Sequence, residues 1–172
     1  MSTGRSAVLL AGLGIVLLAV NHAIWQRQQI VEQGREVLLE LRPADPRSLI
    51  QGDYMRLRYA DQAFPDPATA REMPREGRVV LRVDADGVGR FAREDDGARL
   101  GPDELRLRYE LRLDAGELRY GAETFQFQEG HSDIYGDARY GILRVGPDGL
   151  AVLIGLADRD RRPIHPPATG HG

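Results

Sequence analysis

From Ala7 to Val20 every residue is apolar or glycine, and Ala23, Ile24 and Trp25 carry the run past Asn21 and His22. Its length matches the roughly 20 residues that a helix needs to cross a bilayer. Arg5 flanks one end and Trp25 with Arg27 the other, and tryptophan suits the membrane–water interface. A cleaved signal peptide and a retained signal anchor both begin this way. Ala19, Asn21 and Ala23 give only a weak cleavage pattern, and the stretch exceeds the usual apolar region of about 7–15 residues, so the anchor is favoured. The lipid bilayer is therefore the expected partner of residues 7–25, with the short N-terminus inside and the rest of the chain outside. Asn21 and His22 either meet a partner helix or reach water at the outer end of the span. The run Gln26–Gln33 keeps good helix formers and ends at Gly34, so residues 1–34 read as an anchor with a short helical stalk.

What remains of the 172 residues suffices for one domain, residues 35–158, with a polar, proline-rich tail over 159–172 that is expected to fray. Its composition excludes several chemistries. No lysine occurs, which removes Schiff-base and lysine-base catalysis, and no cysteine, which removes disulfides, thiolate nucleophiles and the usual zinc cages. All 26 acids but only 21 of the 23 basic residues lie from Glu32 onward, so this part is near −5 (21 − 26), which argues against a nucleic-acid partner.

Short alternating segments separated by turns dominate the domain. Glu36–Leu41 reads as a first strand with Val37, Leu39 and Leu41 on one face. Pro43 and Pro46 then turn the chain, and a strand from Leu49 to Tyr59 follows, bent at Gly52. Asp53 falls on the side of Met55 and Leu57, where a carboxylate needs a partner. A proline-bearing excursion from Phe64 to Gly77 is either irregular or holds a short helix. Val79–Val83 and Val88–Arg93 form a hairpin across Asp84-Ala85-Asp86-Gly87, and Glu94–Gly97 is a second acidic turn that lacks the calcium-loop pattern. Glu104–Leu113 is the plainest strand, with Leu105, Leu107, Tyr109, Leu111 and Leu113 alternating with charged residues. Phe125–Gln128 is a further strand, Ser132–Tyr140 admits one short helix, and Ile142–Val145 with Leu150–Leu156 closes a last hairpin. The run Arg-Leu-Arg-Tyr at 56–59 returns at 106–109, and Leu-Arg-Tyr at 118–120, which reads as shared strand patterning. The expected fold is mainly β: a compact antiparallel β-sandwich or partly open barrel with one short helix, behind a single N-terminal transmembrane helix.

Candidate chemistry is sparse. Arg56 and Arg58, beside Arg106, Arg108 and Arg112, make an anion-binding face if their strands are neighbours; otherwise they are solvated arginines paired with Asp103, Glu104, Glu110 and Asp114. His131, Asp133 and Asp137 could form an acid/base or metal cluster, but three such residues around a turn arise readily in so charged a chain. Neither Ser48 nor Ser132 has the surroundings of a nucleophile elbow. No catalytic residue, metal or cofactor is assigned.

The stretch Gly52-Asp53-Tyr54-Met55-Arg56-Leu57-Arg58-Tyr59 resembles the signature of the GDYXXLXY family, bacterial membrane-anchored proteins of no established function. Every fixed position is filled: Gly52, Asp53, Tyr54, Leu57 and Tyr59. The lead-in from Arg42 to Leu49 and the later Phe127-Gln128-Glu129-Gly130 are similar to family stretches as well. The resemblance implies a bacterial inner-membrane, single-pass protein with a periplasmic domain, accompanying a polytopic inner-membrane protein. A weaker likeness to type I signal peptidases, at Leu49-Ile50-Gln51-Gly52-Asp53, fails because Ala44 stands where the nucleophile would fall and no lysine exists. The expected function is an accessory or binding subunit of a membrane complex, with Arg42, Asp45, Arg47, Ser48, Asp53, Tyr54, Arg56 and Arg58 as its candidate binding residues. The alternatives are a hydrolase built on Asp53 with His131 or Asp133, and an anion- or ligand-binding module on the arginine face.

Overall fold

The computed structural model describes residues 3–42, 54–112, 117–127 and 132–165. Helix α1 (Thr3–Gln33) leads through Gly34 directly into β1 (Arg35–Glu40). After β2 (Tyr54–Arg56) come a 3-10 turn at Asp61–Ala63, helix α2 (Pro67–Glu72), β3 (Glu76–Val83), β4 (Gly89–Glu94) and β5 (Glu104–Arg112). The chain continues through β6 (Glu117–Arg119), β7 (Thr124–Gln126), a 3-10 turn at Ser132–Tyr135, β8 (Tyr140–Val145) and β9 (Ala151–Ala157).

Two antiparallel sheets, β1-β8-β9 and β4-β3-β5-β6, join where Leu38 bridges Val88 and the Leu38 N–H donates to the Gly87 carbonyl at 2.9 Å. The register shifts at Val80/Leu81 and at Ile142/Leu143 are bulges, which increase local twist and bend a sheet. The result is a curled half-barrel, the partly open barrel rather than the sandwich. A small ribbon, β2 with β7, is extended by Leu57 N–H to the Glu123 carbonyl at 2.7 Å and tied to the end of β1 by the Leu41–Tyr59 bridge and by Ala60 N–H to the Glu40 carbonyl at 2.8 Å.

The alternation read from sequence points into this curl. Val37, Leu39, Leu41, Met55, Leu57, Tyr59, Val79, Leu81, Leu105, Leu107 and Tyr109 form one buried cluster with Leu143, Val145 and Leu156 from β8 and β9. On the other side Leu38 packs with Val88, Ile142 and Ala157, so β1 is buried on both faces. At Gly89 an added Cβ would come within 2.8 Å of Val37 Cγ2, so glycine is what lets β4 lie close against β1. Gly87 and Gly97 sit at φ +81° and +79° in the two acidic turns.

Three expectations are corrected. The strands carrying Arg56/Arg58 and Arg106/Arg108/Arg112 are not neighbours: β2 pairs with β7, and β5 with β3 and β6, so no common arginine face forms. The helix sought between Ser132 and Tyr140 is a single 3-10 turn, because the chain must straighten into β8 by Tyr140. The tail does not fray over its first residues: Asp158 caps a turn, Pro163 bridges Ala157, and the Ile164 N–H donates to the Leu156 carbonyl at 2.8 Å, laying Ile164 on the core. The proline-bearing excursion does hold a helix, α2, whose N-terminus Asp66 caps by accepting from Ala68 N and Thr69 N.

Acidic turn residue Asp95 is the buried charge of the sheet, its side chain only 1% exposed between Arg78 and Arg106, each at 3.0 Å. Burial alone would raise its pKa, but Arg106, the Gly97 N–H and Arg78 together hold it below the ordinary carboxylate range. A depressed carboxylate pKa adds stability above the unfolded value, lost as pH falls through the folded one. Asp95→Asn is expected to destabilise the domain by about 1–3 kcal/mol at neutral pH. Denaturant titrations should show that difference shrinking below roughly pH 4.

Candidate functional site

Around the motif strand the sequence builds a groove of about 610 Å³ between the ends of β2 and β6 and the turn that leads into α2. Tyr59 lines it, and Tyr120 lies behind its Phe64. Tyr59, 2% exposed, follows Leu57 on the core face, and its hydroxyl donates to the Ala122 carbonyl. Tyr120, 3% exposed, follows Leu118, and its hydroxyl donates to the Ala63 carbonyl. Each Leu-Arg-Tyr triplet thus reaches across to satisfy a carbonyl just past the other's tyrosine. The rings lie 6.4 Å apart, and Phe64 stacks on Tyr120 at 5.0 Å and 6°. Desolvation first, then the Glu123 charge, raises the pKa of both hydroxyls.

Glu123 sits half-buried at the groove, accepting the Tyr120 N–H at 2.5 Å. Desolvation raises its pKa against backbone N–H groups and Arg119, which pull it down. On the rim, Arg42 pairs with Asp61, and Arg119 pairs with Glu117 at 3.5 Å. Asp66 is occupied by α2: Thr69 Oγ1 donates to it at 2.6 Å, and this bond, with the Thr69 and Ala68 N–H groups, lowers its pKa. Arg56 and Arg58 both face out into the groove.

Of the residues singled out from sequence, Leu57 and Tyr59 are core, and Arg42, Arg56 and Arg58 meet in the groove. Tyr54 opens β2 opposite Gln126. Gly52, Asp53, Asp45, Arg47, Ser48 and His131 lie outside the described residues, as does the Asp133 side chain, while Asp137 is exposed. No cluster of metal-ligating side chains occurs among the described residues. Sequence reasoning missed Tyr120, Glu123, Phe64 and Arg119. The signal for two of them was the second Leu-Arg-Tyr, which is patterning and also one half of the tyrosine pair.

Fold and site together define a half-barrel β-domain, closed by reciprocal tyrosines, behind one long apolar helix. The family model described as GDYXXLXY protein matches residues 16–156, most of the chain, and the protein belongs to that family. No curated protein and no solved structure matches it.

Tyr59→Phe and Tyr120→Phe should each cost about 1–2 kcal/mol, because each leaves a carbonyl without its donor in a buried setting. A tyrosine whose folded pKa is raised contributes stability below its unfolded value near 10, lost as pH rises towards the folded one. In an alkaline titration followed at 295 nm, Tyr59 and Tyr120 should ionise only as the domain unfolds. The Tyr59→Phe/Tyr120→Phe double variant should lose that late component.

Proposed function

We propose that the protein is a single-pass, membrane-tethered β-domain that faces the periplasm of a bacterial inner membrane and serves as an accessory binding subunit beside a polytopic membrane partner. The observation that carries this reading is the helix. The helical stretch Val8–Gln33 contains an 18-residue window with a mean hydropathy of 2.1, none of it buried. Among the described residues every exposed large hydrophobic lies on α1 except Ile154. The domain has satisfied its own apolar surface; the helix needs lipid.

The junction supports a fixed seat on the membrane. Ile30 is buried against Gly146, and Arg144 Nη1 donates to the Gly34 carbonyl at 3.0 Å. At Gly34 an added Cβ would lie 2.3 Å from the Ile30 carbonyl oxygen of the helix's own last turn and 3.1 Å from the Val145 carbonyl oxygen of β8, so glycine suits the point where the helix ends against the sheet. His22 stacks with Trp25 at 6.0 Å in the last turns of the span. A notch of about 710 Å³, lined by Trp25, Ile30, Leu105, Val145 and Leu150, lies between stalk and domain, where a neighbouring transmembrane helix would emerge.

The full chain, tagged at its C-terminus, should stay in the membrane pellet through alkaline carbonate extraction and copurify from mild detergent with one integral membrane protein in stoichiometric amount. Release by carbonate, or purification with no membrane partner, defeats the reading. A periplasm-active reporter after Gly172 should be active and a cytoplasm-active one silent; the reverse pattern overturns the orientation.

A further inference from the structure

The groove is lined by four arginines and four acids, and two of those arginines are left without an ion pair among the described residues. Elsewhere on the sheet the arginines are consumed: Arg78 and Arg106 on Asp95, Arg82 on Asp103, Arg93 on Asp96 and Glu104, Arg108 on Asp148 and Arg144 on Glu36. Within the groove, Arg42 and Arg119 answer Asp61 and Glu117, Asp66 is held by the α2 N–H groups, and Glu123 by Tyr120 N–H. Arg56 and Arg58 have no ion pair among the described residues. They stand two apart on the exposed side of the chain that ends β2, with Cα atoms about 6.6 Å apart for an extended backbone, in a part of the chain that carries net negative charge. Directly beside them the groove is apolar, offering Phe64, Pro65, Pro67 and Leu118.

We propose that this groove binds an amphiphilic anion, a carboxylate or phosphate group on a small apolar body, with the acid held by Arg56 and Arg58 and the body against Phe64 and Leu118. A guanidinium presents a planar fork that matches either acid group, and two of them can each give paired hydrogen bonds. The volume suits a small organic ligand rather than a bare ion. The assignment deepens the binding-subunit reading and rests on it for biological setting, while the site itself depends only on the domain.

The test uses the full chain in nanodiscs of zwitterionic lipid, with saturation-transfer NMR of hexyl phosphate, hexanol and inorganic phosphate, and empty nanodiscs subtracted. Hexyl phosphate should bind, and it should outcompete inorganic phosphate, with hexanol weaker than both acids. Arg56→Gln/Arg58→Gln should weaken hexyl phosphate by at least about tenfold while keeping the wild-type melting temperature. Arg159→Gln/Arg162→Gln, exposed and outside the groove lining, should bind as wild type does. Equal binding of hexanol and hexyl phosphate, equal binding of inorganic and hexyl phosphate, or full affinity in Arg56→Gln/Arg58→Gln each overturns the proposal. With binding established, competition by phosphatidylglycerol built into the disc assigns the anion to the bilayer, and its absence to a soluble ligand. Copurification of a membrane partner is read separately, so failure of one result leaves the other standing.

Discussion

The reciprocal pair of tyrosines is the interaction on which the domain's closure depends. A half-barrel has an open side, and the short β2–β7 ribbon that covers it shares only three register pairs. Two- and three-residue pairings are too short to hold by themselves. Tyr59 and Tyr120 supply what the ladder lacks: large apolar rings inside and hydroxyls that bind the Ala122 and Ala63 carbonyls from opposite directions. Each ring also shields the other's hydrogen bond from water, where it would be weaker. The groove outside exists because this pair fixes the distance between the motif strand and β6.

Strand content and core membership were legible because period-two alternation is a local property. Glu104–Leu113 shows it most clearly, and Leu105, Leu107 and Tyr109 are buried accordingly. The Asp-Gly turn at Asp86-Gly87 and the helix ending at Gly34 follow from residue chemistry in the same way. The hairpin pairings of β3 with β4 and β8 with β9 were legible from their turns, whereas the neighbours distant in sequence were not. Arg56 and Arg106 share an identical local run, yet one lies on the ribbon and the other inside the larger sheet, because pairing is decided by closure over long stretches of chain. The same holds for the groove: Phe64 and Glu123 come to the motif from segments that carry no mark of it. The start of the tail was misread because its polar composition hid one apolar residue, Ile164, that reaches the core.

Charge is managed by burial as much as by number. With arginine as the sole strong base, every cation is a planar fork that stays charged under all ordinary conditions. Asp95 exploits this, taking Arg78 and Arg106 at once in a setting where a lone carboxylate would be costly. Most remaining pairs are exposed and contribute little to stability. Their consequence is instead to neutralise much of the sheet surface.

The family signature divides along the same line. Its later fixed positions, Leu57 and Tyr59, are buried and serve closure, whereas its variable positions at Arg56 and Arg58 face the groove. A strand forces this separation, since alternate residues must point to opposite faces. Met55, the third variable position, is buried with Leu57 and Tyr59, so along this stretch the alternation of the chain, and not whether a position is fixed or variable, decides which face a residue takes.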